Sequence, residues 1–235
     1  MTAIREVAKS TPGLRRVYST LRRLFASHEA IFTAAYRSNR VSGMESVSGP
    51  GSELGRTELI VRALPMVFAE LGVSTILDIP CGDCHWMSRV DMKAVNYIGA
   101  DVVQALVKQN ARRFEGKSMR FLHVNLIVDD LPQVDLVLCR DCLVHFSFSD
   151  IFKALRNICR SRSTYLLTTT FPSRVGNQDI LTGQWRPLNL EVSPFCLPKP
   201  LRIINEGGTG PGATHSDKSL GLWLIEEVKQ TLTNR

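Results

Sequence analysis

The chain has 235 residues, 44% of them hydrophobic, and a formal net charge of +7, which suits one sizeable α/β domain with a full core. No apolar run approaches the roughly 20 residues of a membrane span. The N-terminus lacks the apolar stretch and small-residue cleavage site of a secretory leader, so a cytoplasmic protein is expected.

The charge is uneven. Residues 1–40 hold eight basic residues (Arg5, Lys9, Arg15, Arg16, Arg22, Arg23, Arg37, Arg40) against Glu6 and Glu29, and the remainder is nearly neutral. Leu14, Val17, Leu21, Leu24, Phe25, Ile31 and Phe32 recur at spacings of three and four, with most of the arginines off that stripe. The pattern predicts a basic helical arm over 1–40, packed on the domain or on a second copy in a homodimer. A helix lying on anionic lipid or another polyanion is the alternative. Residues 41–235 form the body. Ser42–Ser52, rich in Ser and Gly, reads as a loop or clamp, and Glu53–Leu71 as a helix with Leu59, Ile60, Ala63, Leu64 and Phe68 on one face.

Strand patterns follow at Thr75–Ile79, Tyr97–Asp101, Arg120–Val124, Val134–Cys139 and Tyr165–Thr169, and helical patterns, such as Val102–Phe114 and Asp150–Ile158, separate most of them. Leu201–Asn205 and Leu222–Glu226 read as two further short strands. Alternating strands and helices predict a Rossmann-like, doubly wound, seven-stranded and mostly parallel sheet. Residues 171–212 break the pattern. They are proline-rich at first and end in Gly207-Gly208-Thr209-Gly210-Pro211-Gly212, just before His215, and a long irregular stretch of this kind reads as an acceptor-binding lid.

The segment Ile76-Leu77-Asp78-Ile79-Pro80-Cys81-Gly82-Asp83-Cys84 runs a buried strand into a Gly-containing turn, and the next strand ends on Asp101. A strand, a tight turn and an acid at the tip of the next strand can hold a nucleoside, with the acid on the ribose hydroxyls. A dinucleotide turn needs G-x-G-x-x-G to cradle a pyrophosphate. Pro80 and Cys84 stand where two of those glycines would fall, so a nucleoside without phosphates fits better. Cys81-x-x-Cys84 and Cys139-x-x-Cys142 could in principle share a zinc ion. Each pair sits where a strand ends and a ligand loop begins, which favours small side chains, and reduced non-ligand cysteines are expected.

Together with Asp135-Leu136-Val137-Leu138-Cys139-Arg140-Asp141, these motifs resemble those of the class I S-adenosylmethionine-dependent methyltransferases over residues 55 to 170. The resemblance implies that Asp78, Cys81 and Gly82 face the methionine part of S-adenosylmethionine, that Asp101 binds the ribose, and that Asn125 and Leu126 meet the adenine. Ser48, Gly49 and Arg140 join that cofactor-binding set. A helix N-cap is the plainer role for Asp101. His145, just past the fourth strand, is the expected general base and Asp141 its catalytic companion; a cap on the turn at Phe146–Ser149 is the plainer role for His145. His85 is a weaker base candidate and His123 is expected to be structural. A divalent metal is left open, with Asp141, Asp179 and Glu206 as conceivable ligands.

Asn177–Asn189 mixes amides and a carboxylate with Trp185, a combination suited to a polyhydroxylated ring. The segment Thr182-Gly183-x-Trp185-Arg186-Pro187-Leu188-Asn189, with Ser48-Gly49-Pro50-Gly51-Ser52, resembles bacterial saccharide methyltransferases, among them the 1-O-methyltransferases of mycobacterial methylmannose polysaccharide synthesis. That resemblance implies O-methylation of a sugar hydroxyl, with Asp179, Trp185, Arg186 and Glu206 on the acceptor. The alternatives are methylation of another small molecule or of RNA, or a binding module without turnover. Nucleic acid is not the expected partner, since Arg140-Asp141-Cys142-Leu143 lacks the Asn/Asp-Pro-Pro-aromatic pattern suited to exocyclic nitrogen.

Overall fold

A computed structural model describes residues 26–38, 43–92, 95–207 and 215–234. Most of the arm stripe (Leu14, Val17, Leu21, Leu24 and Phe25), Ser42 and the glycine-rich residues 208–212 lie outside these. Helix α1 (His28–Arg37) and a short 3-10 turn (Pro50–Ser52) precede helix α2 (Leu54–Leu71). Then come β1 (Thr75–Asp78), β2 (Asn96–Asp101), α3 (Gln104–Phe114), β3 (Met119–His123), β4 (Leu136–Cys139), α4 (Phe148–Arg160) and β5 (Tyr165–Thr170). The chain closes with β6 (Arg202–Asn205), β7 (Ser219–Leu224) and α5 (Ile225–Thr233).

The seven strands form one sheet in the order β3-β2-β1-β4-β5-β7-β6. β1 through β5 are parallel, with Leu77 of β1 set between Ile98 of β2 and Val137 of β4, whereas β7 runs antiparallel to both β5 and β6. The central strands are apolar on both faces, as a doubly covered sheet requires. Ile76, Leu136, Leu138 and Leu167 point toward Ile60, Leu64 and Phe68 of α2 and Val107 of α3. Leu77, Val137, Leu166 and Trp223 point the other way, toward Ile151, Leu155 and Ile158 of α4 and Val228 of α5.

Six strands lie within two residues of their expected ends. Two details differ. Leu59, assigned to the buried face of α2, is 48% exposed, and Val67 takes a place in the core instead. The last expected strand, Leu222–Glu226, is shifted: β7 ends at Leu224 and α5 begins at Ile225. The run Leu222–Ile225 is too short for its periodicity to separate strand from helix. Among the described residues no helix is long and apolar enough to cross a membrane.

Strand order reverses between β1 and β4, so the chain leaves these neighbours toward opposite faces and opens a crevice at their C-terminal ends. Because β7 is antiparallel, its first residue also lies at that edge. The residues after β6 and before β7 thus return to the crevice alongside the tips of β1 to β5.

Candidate active site

A cavity of about 1180 Å³ occupies this edge. One half is built from β1, β2 and the turn after β1. The peptide before Pro80 is cis, and Gly82 adopts φ +55°. The turn is tied to its neighbours: Cys81 N donates to Ala100 O (2.8 Å), and Asn110 Nδ2 of α3 donates to Gly82 O (2.7 Å). Asp101 accepts from Gly82 N (3.0 Å) with one carboxylate oxygen and from Val103 N (2.8 Å) with the other. It therefore holds the turn that leads into α3 and also lines the cavity. Each oxygen keeps one of its lone pairs.

Glycine at 82 serves the protein's own chain. A Cβ there would run into the Ser48 side chain, which packs over the turn. Asp83 holds that overlying loop: its carboxylate accepts from Ser46 Oγ (2.9 Å), Val47 N (2.9 Å) and Ser48 Oγ (3.1 Å), and Asp83 N donates to Ser48 Oγ (3.0 Å). Residues 43–53 are thus a clamp fixed to the first motif, and this brings Ser48 and Gly49 to the cavity wall. Asn125 and Leu126 line the cavity beyond β3, where Asn125 Oδ1 accepts from Ile127 N (3.0 Å). The four motif cysteines are buried thiols at the ends of β1 and β4. Among the described residues no group of three or more His, Cys, Asp or Glu side chains could hold a metal ion.

Asp78 and Asp101 are both buried at this end. Burial pushes Asp78 up to about 7 against the opposing hydrogen bond from Tyr97 Oη (2.7 Å), and pushes Asp101 up to about 6 against its backbone donors. Both values exceed the usual carboxylate value of about 4, so folding favours the protonated acids. Stability of the cofactor-free protein should therefore fall as pH rises from about 5 to 7. Urea unfolding across that range checks this: Asp78→Asn should flatten the slope, and an unchanged slope would mean that Asp78 is ionised throughout.

The tip of β4 carries a charge network. Arg140, with only 3% of its side chain exposed, donates from Nη2 (2.6 Å) and Nε (3.1 Å) to Glu206 and from Nη2 to Gly51 O (2.7 Å). Its Nη1 lies 3.2 Å from Asp141. Lys218 Nζ bridges Asp141 (2.6 Å) and Glu206 (3.2 Å). Asp141 takes φ +52°. Burial alone would raise its carboxyl, but Arg140 and Lys218 hold it down at about 2. The network joins the clamp, the β4 tip and the β6–β7 hairpin. Glu206, expected on the acceptor, faces Arg140 and Lys218 at the cavity wall.

The other half of the cavity is largely aromatic. Ile31, Phe32 and Tyr36 of α1 line it with Phe146, Phe171 and Trp185. Trp185 is 44% exposed and packs against Phe171 (6.2 Å between centroids) and His215 (4.8 Å). Helix α1 is attached by His28 Nε2 to Asp150 Oδ2 (2.9 Å), an oxygen that also accepts from Thr182 Oγ1 (2.7 Å). That α1 reaches the cavity is not legible in the sequence, because the contact joins residues more than a hundred positions apart.

His145 lines the cavity from a 3-10 turn, Leu143–His145. Its Nδ1 lies 2.8 Å from Gln184 O. A carbonyl only accepts, so Nδ1 carries the proton and Nε2 keeps its lone pair. Burial moves its proton affinity below the ordinary imidazole value. His85 and His123 bond elsewhere, near Glu45 (3.4 Å) and Val102 O (3.0 Å). Asp179 and Arg186, expected to contact the acceptor, stand outside the cavity lining. Asp179 accepts from Phe148 N (2.7 Å) at the start of α4, and Arg186 bonds to backbone carbonyls.

Residues 77–161, from β1 to the end of α4, match the model of a methyltransferase domain, and they contain the strand tips described above. Over these residues the chain carries a methyltransferase domain, set on a Rossmann-like sheet. No curated protein matches this methyltransferase in sequence. In fold it is similar to a Leishmania major S-adenosylmethionine-dependent methyltransferase at 12% identity, with 86% of this chain and 87% of that one covered and a TM-score of 0.61. It is also similar to the Burkholderia thailandensis 1,6-didemethyltoxoflavin N1-methyltransferase bound to its substrate and S-adenosylhomocysteine (15% identity, 88% and 89% covered, TM-score 0.58). A third similar fold is the Synechocystis magnesium protoporphyrin IX methyltransferase with S-adenosylhomocysteine (12% identity, 84% and 99% covered, TM-score 0.57). At these identities the likeness concerns the fold of the methyltransferase, not its acceptor.

Proposed function

We propose that this methyltransferase acts on a hydroxyl oxygen of a ring-shaped acceptor, with His145 as general base. The observation that carries the reading is the fixed tautomer of His145, which presents an unprotonated Nε2 among aromatic walls. S-adenosylmethionine supplies an electrophilic methyl group on sulfur. The residues at the β1–β3 tips suit it: Asp101 retains acceptor lone pairs for a diol, and Asn125 and Leu126 offer an amide and an apolar face to a base. Asp78 and the turn at Cys81–Gly82 would flank the methionine part, with Ser48 and Gly49 closing over it.

His145 would take the hydroxyl proton on Nε2. Asp141 raises the proton affinity of that imidazole, favouring its cation, while Trp185 holds the acceptor ring and the clamp with α1 keeps water out. For the acceptor we favour a sugar hydroxyl, supported by the Thr182–Asn189 segment and by the indole face. A phenolic ring is the second reading, supported by the apolar wall of Phe32, Phe146 and Phe171. Incubation with methyl-labelled cofactor and either mannosides or simple phenols separates the two. Label in the mannoside alone is the expected outcome, and label in phenols alone would remove the sugar reading. Calorimetry with the cofactor tests the common step, because a protein that fails to bind it is no methyltransferase.

A further inference from the structure

We infer that Arg186 is a positioning residue for His145, its guanidinium gripping the backbone turn from which the imidazole projects. The inference rests on the reading of His145 as the base. Four successive carbonyls of that turn accept hydrogen bonds from one loop. Leu143 O accepts from Arg186 Nη1 (2.9 Å), Val144 O from Arg186 N (3.1 Å), His145 O from Gly183 N (2.8 Å) and Phe146 O from Arg186 Nη2 (2.8 Å). The third guanidinium nitrogen, Arg186 Nε, donates to Gln178 O (3.2 Å). The same loop supplies Gln184 O, which fixes the tautomer. Gly183, at φ +92°, leaves room for Ile31 of α1, whose methyl would meet a Cβ there at 2.6 Å.

Arg186 is 6% exposed, and among the described residues no salt bridge is formed by it. Burying a cation without a paired carboxylate is costly, and here the turn's carbonyl dipoles, the Phe148 ring (5.7 Å) and the more distant charge of Asp179 offset that cost. A planar guanidinium can span Leu143 O and Phe146 O at once; a lysine ammonium cannot reproduce that fork. The cation also acts on the base. Its charge lowers the proton affinity of His145, as does Lys218, whereas Asp141 raises it. His215 shares the cavity, and His28 of α1 packs its ring near Phe146.

Nitrogen-15 NMR of histidine-labelled protein, with His145→Gln to assign the signal, tests this without any acceptor. The wild type should show the Nδ1-protonated tautomer and a titration midpoint below 6.5. Arg186→Gln should raise the midpoint by about half a pH unit or more and mix the tautomers. Arg186→Lys should hold the midpoint low yet mix the tautomers, and it decides the matter if the glutamine variant does not fold. Wild-type tautomer and midpoint in these variants, whatever their Tm, would overturn the inference by showing that Arg186 serves the fold alone. Undiminished turnover in His145→Ala is a separate outcome: it removes the base reading, and the positioning role falls with it while the NMR shifts remain.

Discussion

Replacing His145 with alanine is expected to lower turnover by about two to four orders of magnitude, the range of a positioned general base, and to leave the cofactor's Kd unchanged. The imidazole stands on the aromatic side of the cavity, away from the Asp78, Asp101 and Asn125 tips, so the two effects separate. The wild-type pH profile should carry the same signature. His145 is neutral above its lowered pKa, so kcat/KM should fall as pH drops through a value below the ordinary imidazole one. The alanine variant should lose that limb. Full turnover in it would move the base elsewhere, and His215, tilted against Trp185 with Arg174 Nη2 3.4 Å from its Nδ1, would be the next residue to replace.

Asp101→Ala is expected to weaken cofactor binding by about ten- to several-hundred-fold, the scale of losing charge-assisted hydrogen bonds. Some of that loss would come from the protein itself, because the carboxylate also holds Gly82 N and Val103 N. Asp101→Asn separates the contributions, since an amide oxygen can still accept from one of the two backbone groups. The carboxyl ionises at about 6, and an ionised group accepts better than its acid. Wild-type affinity should therefore decline as pH falls below that value. Calorimetry reads both effects, and an unchanged Kd in the alanine variant would contradict the assignment of Asp101 to the ribose.

What was legible in the sequence followed from local pattern. Strands such as Thr75–Asp78 and Leu136–Cys139 are short apolar runs bounded by turns, and their alternation with helices predicts a parallel sheet whose tips carry the polar residues. That placed Asp78, Asp101, Asn125 and Arg140 at one edge. What was not legible depends on partners distant in sequence. The glycine at 82 looked like an opening for a ligand, yet the group that fills the space is Ser48, 34 positions upstream. Arg186 and Glu206 looked like acceptor contacts because a polar residue in an irregular segment carries no local mark of its partner. Their partners, the Leu143–Phe146 carbonyls and Arg140, become neighbours only when the sheet forms. Helix α1 shows the same limit: its period marks an apolar face but not the cavity that the face closes.

The charge network at the β4 tip has a consequence for synthesis. Arg140 is made 66 residues before Glu206, and Asp141 77 residues before Lys218. While the chain is being made, the guanidinium that ends up buried has only Asp141 of its two carboxylates, and burying it without Glu206 is unfavourable. The β1–β4 tips, which hold the recognisable motifs, therefore emerge long before their charges can be balanced. Reversal of β7 then brings Lys218 back to them. A nascent chain stopped before residue 218 would display every motif of the donor site without a finished wall behind them, which makes cofactor capture wait for the β6–β7 return.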